Sequence, residues 1–164
     1  MNLYGSQKPM ACRRTQNAYN LLNRSLENGA DESLYRYGLS HLAYSPLAFG
    51  RLTMKYENGE QIGQASKPRG RLDLFPTNWS PRYLRPEIAA ACEAYQSVAM
   101  KYGITLTQLA LAFCYRNPKV TSTIIGSTTL DQLQQCLDAD QVKLSPQLLA
   151  EIDTIRWKIR DPAQ

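Results

Sequence analysis

Histidine is almost absent from this chain: His41 is the single one in 164 residues. Cysteine is sparse too, with Cys12, Cys92, Cys114 and Cys136 all far apart. A zinc site needs three or four closely set ligands, so no metal centre is expected. The thiols read instead as buried or inert groups of a cytosolic protein. Long apolar runs are missing, and none approaches the roughly 20 residues of a membrane span. Met1–Pro9 carries neither the basic nor the apolar stretch of a signal peptide. A cytoplasmic chain with no membrane segment is the expectation. Charge of one sign is not concentrated either. Lys plus Arg is 19 and Asp plus Glu is 14, a net charge of +5. Such a balance permits contact with phosphates without demanding it. The basic residues are scattered, apart from Arg13–Arg14 and the stretch Lys67, Arg69, Arg71, so nucleic acid is not the expected partner.

What is present suits one domain, with 43% hydrophobic residues for a single core. Ala11–Leu22 reads as a short strand leading into a loop. Asp31–Gly38 is a helix candidate with Gly38 as its stop. Leu39–Leu47 reads as a strand ended by Pro46. Gly50 to Pro81 is irregular, and residues 57–84 form a long loop of the kind that is usually functional. Helical spacing then recurs over Arg85–Tyr102, through Ile88, Cys92, Tyr95, Val98, Ala99 and Tyr102, and Gly103 stops it. Thr105 and Gln108 form a capping box before a stripe of Leu106, Leu109, Ala110 and Phe113. Val120–Gly126 is a β-branched strand. Thr129 and Gln132 make a second capping box, opening a helix with Leu130, Leu133 and Leu137 on one side. Ser145-Pro146 starts the last helix, which carries Leu148, Leu149, Ile152 and Ile155. Strands alternating with helices imply an α/β fold with about three parallel strands and five or six helices.

Active groups in such folds lie where strands end and helices begin. Three strand ends qualify: Gln16–Asn20, Tyr44–Tyr56 and Gly126–Gln132. In the last, Gly126 leaves room for a ligand, hydroxyls follow, and a helix starts at once. Free N–H groups and the helix dipole suit an anion there. An ordinary strand–turn–helix connection with routine caps explains the same residues.

The stretches TQNAYNLLNRS (Thr15–Ser25), LAYSPLAFGRLTMKY (Leu42–Tyr56) and ALAFCYRNPKVTSTIIGSTTLDQL (Ala110–Leu133) resemble the C-terminal half of an aldo-keto reductase. The similarity runs from about Pro9 to Pro162 and is nearest the group of Tas-like oxidoreductases and potassium-channel β subunits. The resemblance implies half of a (βα)8 TIM barrel, residues 1–164 forming one truncated domain. A closed barrel takes roughly 250 residues, far more than are present. It also implies NADP(H) as cofactor. Gln16 would face the nicotinamide carboxamide and Tyr44 would stack on the nicotinamide ring. Ser45, Pro46 and Leu47 would line the pyrophosphate, with Lys55 as counter-charge. Arg71 would grip the 2′-phosphate, for which a planar guanidinium is suited. Gly126, Thr128 and Gln132 would hold the adenosine end, and Gln135 with Cys136 stands where the family has an acidic residue and an asparagine against adenine, a departure that implies altered cofactor binding. Each residue also has a plain reading: Tyr44 as core, Lys55 and Arg71 as solvated charge, Gln132 as a cap.

The resemblance also implies what is missing. The family's tyrosine acid, with its lysine, aspartate and histidine, belongs to the first four strands. No catalytic residue is therefore assigned, and His41, at the start of a strand, is no substitute. Met54 stands where the family has glycine. Arg13 and Arg14 replace apolar strand residues and would blunt an open edge. Two functions remain open: a cofactor-binding half barrel that self-associates, as a homodimer, over its open sheet, or one half of a split reductase completed by another chain.

Overall fold

The computed structural model describes residues 13–57, 61–75 and 81–164. The readings of Met1–Pro9, Cys12, Gly59 and Pro76 lie outside these residues. Three parallel strands, β1 (Arg14–Ala18), β2 (Ser40–Tyr44) and β3 (Ser122–Thr123), form one sheet in the order β1-β2-β3. Helix α1 (Ala30–Arg36) crosses from β1 to β2. Helices α2 (Arg71–Leu74), α3 (Glu87–Lys101) and α4 (Leu106–Tyr115) lead from β2 to β3. Helices α5 (Leu130–Asp138) and α6 (Pro146–Lys158) follow. This open parallel sheet with its crossover helices is half of a (βα)8 barrel.

The strands are shorter than expected, for local reasons. Asn20 and Asn23 form their own antiparallel bridge, so β1 stops at Ala18 rather than Leu22. Ser45 adopts φ 54°, which turns β2 away before Pro46 is reached. Only Ser122 and Thr123 of Val120–Gly126 pair, because β3 has β2 alone as a partner among the described strands. Residues 57–84 are not featureless: α2 and a 3-10 turn at Pro81–Leu84 lie within them.

Side chains alternate across the sheet. Thr15, Asn17, His41 and Ala43 share one face, and Ala43 belongs to the core under the helices. Gln16, Ala18, Leu42 and Tyr44 share the other. Arg14 projects on that second face too, from a strand that is at the edge of the sheet among the described residues. The core gathers Leu22, Leu52, Tyr95, Leu109, Leu148 and Ile152, all nearly inaccessible. Each such side chain contributes about 1.5–3 kcal/mol by leaving water. Truncating Ile152 to alanine would cost about 2–5 kcal/mol.

The capping box at Thr105 and Gln108 is complete. The second is not. Thr129 Oγ1 accepts the Gln132 N–H, but the Gln132 side chain reaches one residue further back and accepts from the Thr128 N–H at 2.9 Å. The apolar stripe of α5 is exposed rather than buried, with Leu130 83% and Leu137 55% accessible. Cys136 is the buried residue of that helix.

Candidate functional site

The turn after β2 holds the most strained backbone of the described chain. Ser45, Ala48, Phe49 and Met54 all have positive φ, between 49° and 60°, and Gly50 has φ 93°. A left-handed conformation costs a non-glycine residue roughly 1–2 kcal/mol. Such strain persists only where neighbours impose it, and it clusters at ligand sites. The neighbours here are identifiable. Ser45 O accepts the Ala48 N–H at 2.9 Å, and Leu47 O accepts the Gly50 N–H at 2.8 Å. Buried Asn20 donates its Nδ2 to Ser45 O at 2.9 Å. The Phe49 ring stacks on buried Tyr83 with centroids 5.1 Å apart. The Tyr83 hydroxyl faces Asn20 and Ser45 without meeting hydrogen-bond geometry to either. Beneath the turn, Arg51 pairs with Glu57 at 3.0 Å, both side chains largely buried. Met54 takes a φ of 60°, a conformation that favours glycine.

A basic rim flanks this turn. The Lys55 ammonium packs between two glycines: a Cβ on Gly50 would sit 2.9 Å from Nζ, and one on Gly70 would sit 2.6 Å from it. Burial lowers the Lys55 pKa, and the charge of Asp73 opposes that shift. Arg69 pairs with Asp73 at 2.9 Å. Asp73 also accepts the N–H groups of Gly63 at 2.9 Å and Arg69 at 2.8 Å. The Arg69 bonds, above all, hold the Asp73 carboxyl well below the usual carboxylate range. This clasp fixes α2, and α2 sets the Arg71 guanidinium 5.4 Å from the Phe49 ring centroid. Asp73 offsets Arg69, and Lys55 and Arg71 remain as cations beside the strained turn. Two cations next to a turn of this kind suit a phosphate or pyrophosphate ligand. The residues present therefore fit the anionic part of a dinucleotide.

The structure thus brings Ser45, Pro46, Leu47, Lys55 and Arg71 together around one turn. Gln16 and Tyr44 lie on the open sheet face leading to it. Thr128 and Gln132 form a separate cluster in which the Thr128 N–H and Oγ1 both donate to Gln132 Oε1, at 2.9 and 3.1 Å. That turn satisfies part of its own anion-binding capacity. Gly126 stands exposed, and a methyl group on its Cα would meet no other atom within 4 Å. Gln135 lines a cavity of about 420 Å³ with Thr53, Met54, Leu106 and Asp138. A larger cavity of about 970 Å³ lies elsewhere, between Tyr19, Glu27, Asp31, Phe113 and Lys119. Its polar groups already answer one another: Tyr19 donates to Glu27 at 2.6 Å, and Lys119 to Asp31 at 2.7 Å. Volume alone does not make it the better site.

Sequence reasoning named the strand ends that contain Asn20, Gly50 and Tyr56 but gave these residues no role, and it singled out neither Gly70 nor Asp73. Gly50 and Gly70 were visible as glycines beside the basic residues, but their common contact, Lys55, is a property of the fold. His41 is buried, stacked edge-on to Tyr19 at 6.0 Å, and serves the core rather than the rim.

The Aldo/keto reductase family profile matches residues 6–156. The chain belongs to the aldo/keto reductase family. It is similar to Protein tas of Escherichia coli (strain K12), 40% identical over 148 residues that are 90% of this chain and 41% of that protein. It is also similar to the L-glyceraldehyde 3-phosphate reductase of the same organism, 32% identical over 84% of this chain and 40% of that one. A probable voltage-gated potassium channel subunit beta of Arabidopsis thaliana is 33% identical over 85% of this chain and 42% of its own length. This aldo/keto reductase chain therefore spans about two fifths of the length of these relatives. No helix among its described residues is long and apolar enough to cross a membrane.

Proposed function

We propose that this chain is the NADP(H)-binding portion of an aldo/keto reductase, and that alone it holds the cofactor without reducing a carbonyl. The observation that carries the reading is the strained Ser45–Met54 turn flanked by Lys55 and Arg71. Ser45, Pro46 and Leu47 cradle the pyrophosphate, with Lys55 as counter-charge. Arg71 takes the 2′-phosphate, in keeping with its place beside the turn. Tyr44 and Gln16, on the open face, meet the nicotinamide. Gly126, Thr128, Gln132 and Gln135 serve the adenosine end. The cofactor supplies the hydride, and these residues bind and orient it. The family's Asp, Tyr, Lys and His set has no counterpart among these strands, so proton transfer to a carbonyl has no donor here.

A saturable fluorescence change on titrating NADPH is the expected result. No saturation up to millimolar cofactor would overturn the reading. Incubation with NADPH and an aldehyde should leave the absorbance of the reduced cofactor unchanged, and steady turnover would refute the inactive assignment.

The open face and the exposed leucines of α5 support a covering partner. In the first reading the cover is a second copy, giving a cytoplasmic homodimer. Light scattering tests it, and a well-folded monomer counts against it. In the second reading another chain brings the missing strands and makes a split reductase. Aldehyde reduction that appears only on mixing the two chains would decide for that one.

A further inference from the structure

Residues Asp161–Ala163 are fully packed against the loop that follows β1, although they lie far from it in sequence. Three bonds fasten them to that loop, besides the contacts of Pro162 O with Arg85 and of Asp161 with Arg156. Ala163 donates its N–H to Leu22 O at 3.0 Å. Ala163 O accepts Asn23 Nδ2 at 3.1 Å. Asp161 Oδ1 accepts the Arg24 N–H at 2.7 Å. Asp161 takes φ 43° to do so, a strained conformation for a residue other than glycine.

The loop passes this constraint inward. Asn20 and Asn23 exchange backbone hydrogen bonds at 3.1 and 3.0 Å. Asn20 Oδ1 accepts the Leu22 N–H at 2.9 Å, which fixes the amide orientation. The other end of that amide is the Nδ2 donor to Ser45 O. Ser45 is the first left-handed residue of the strained turn. Asn20 is wholly buried and Asn23 nearly so, which leaves water no place in the chain of bonds.

We propose that Asn20 and Asn23 are positioning residues for the Ser45–Met54 turn, and that the Asp161–Ala163 segment is the outer clamp that holds them. The C-terminal segment thereby sets the shape of a turn it does not touch. The structural coupling stands on the hydrogen bonds alone. Its consequence for ligand affinity rests on the cofactor reading above.

Amide hydrogen exchange on the whole chain tests the coupling without any ligand. Asn23→Ala removes the bond to Ala163 O and the two that Asn23 Oδ1 accepts from Ser25, and should speed exchange of the 47–54 amides at least about fivefold. The 106–115 amides of α4 should stay as protected as before. Faster exchange confined to 20–25 and 161–164 would overturn the relay. If Asn23→Ala does not fold, Asp161→Ala against Asp161→Asn gives the same comparison. Asparagine keeps an acceptor for Arg24 and tolerates positive φ, giving up only the longer ion pairs with Arg156 at 3.7 Å and Arg160 at 3.9 Å, so it should restore most of the protection that alanine loses. Failure of asparagine to rescue would also count against the clamp.

NADPH titration of the same variants reads the functional consequence. Asn23→Ala and Asp161→Ala should weaken binding about fivefold, with Asp161→Asn close to wild type. Wild-type affinity in a variant whose turn exchanges faster would overturn the positioning role. If the wild-type chain itself binds no NADPH, the cofactor reading fails, and the exchange experiment still decides the coupling.

Discussion

The Tyr56 hydroxyl accepts the backbone N–H of Leu72 at 3.1 Å. One side chain thereby joins the end of the strained turn to α2, the helix that carries Arg71. Leu72 is buried, so its N–H has no water to fall back on. Tyr56→Phe should cost about 1–3 kcal/mol of local stability, the penalty for an unsatisfied buried donor. Exchange of the 69–74 amides should quicken while α3 stays protected, and NADPH affinity should drop. Unchanged protection at 69–74 would show that the bond does not hold the segment.

The glycine cradle makes a second prediction. A methyl group on Gly70 would lie 2.5 Å from Tyr56 Oη and 2.6 Å from Lys55 Nζ. Gly70→Ala must displace the ammonium or the phenol, and should weaken NADPH binding about tenfold if a charge-assisted contact worth about 1.5 kcal/mol is lost. Gln147→Ala, at an exposed position of α6 outside the site, is the control, expected to bind within about twofold of wild type because no neighbour has to move. Equal affinities for the two variants would remove Lys55 from the site.

Helix starts and the parallel fold were legible in the sequence because they are local signals. Thr105, Gln108, Ser145 and Pro146 cap helices where their side chains predict. Strand lengths were less legible, since pairing needs a neighbour and β3 has one only over Ser122 and Thr123. The α5 leucines have correct helical spacing, yet periodicity cannot say whether a partner is there to bury them. The turn residues Ser45, Pro46 and Leu47, with Lys55 and Arg71, were singled out through the family resemblance alone. Asn20, Tyr56 and Asp73 escaped because their roles arise from contacts made only after folding. The split second cap, with Gln132 answering Thr128 rather than Thr129, escaped for the same reason.

The thiols give a third prediction. Cys92, Cys114 and Cys136 are all buried and unpaired. Burial pushes the Cys92 thiol up to about 12 and the Cys114 thiol up to about 12. The thiolate is the reactive form, so these groups should be inert at neutral pH in the folded chain. In a Cys12→Ser background, a thiol reagent should label almost nothing natively and three groups after unfolding. Rapid native labelling at Cys92 or Cys114 would contradict the packing around α3 and α4.

Stability should fall as the solution is made mildly acidic, and His41 should be a main cause. Its ring is buried in β2 against Tyr19, and neither ring nitrogen has a hydrogen-bond partner of good geometry. Burial lowers its pKa, and the Asn17 backbone and the Asp31 charge oppose that shift without reversing it. The unfolded chain therefore binds this proton at a higher pH than the folded chain does. The contribution of neutral His41 is complete above the unfolded value of about 6.5 and is lost as pH falls through the depressed folded value. Within that window the unfolded chain binds up to one proton more than the folded chain, which sets the sign of the slope. Denaturant melts from pH 7.5 down to 5.5 should show stability starting to fall near pH 6.5 in the wild-type chain. His41→Leu, which fills the space without a titrating group, should flatten that fall. Parallel slopes in the two proteins would assign the acid sensitivity elsewhere.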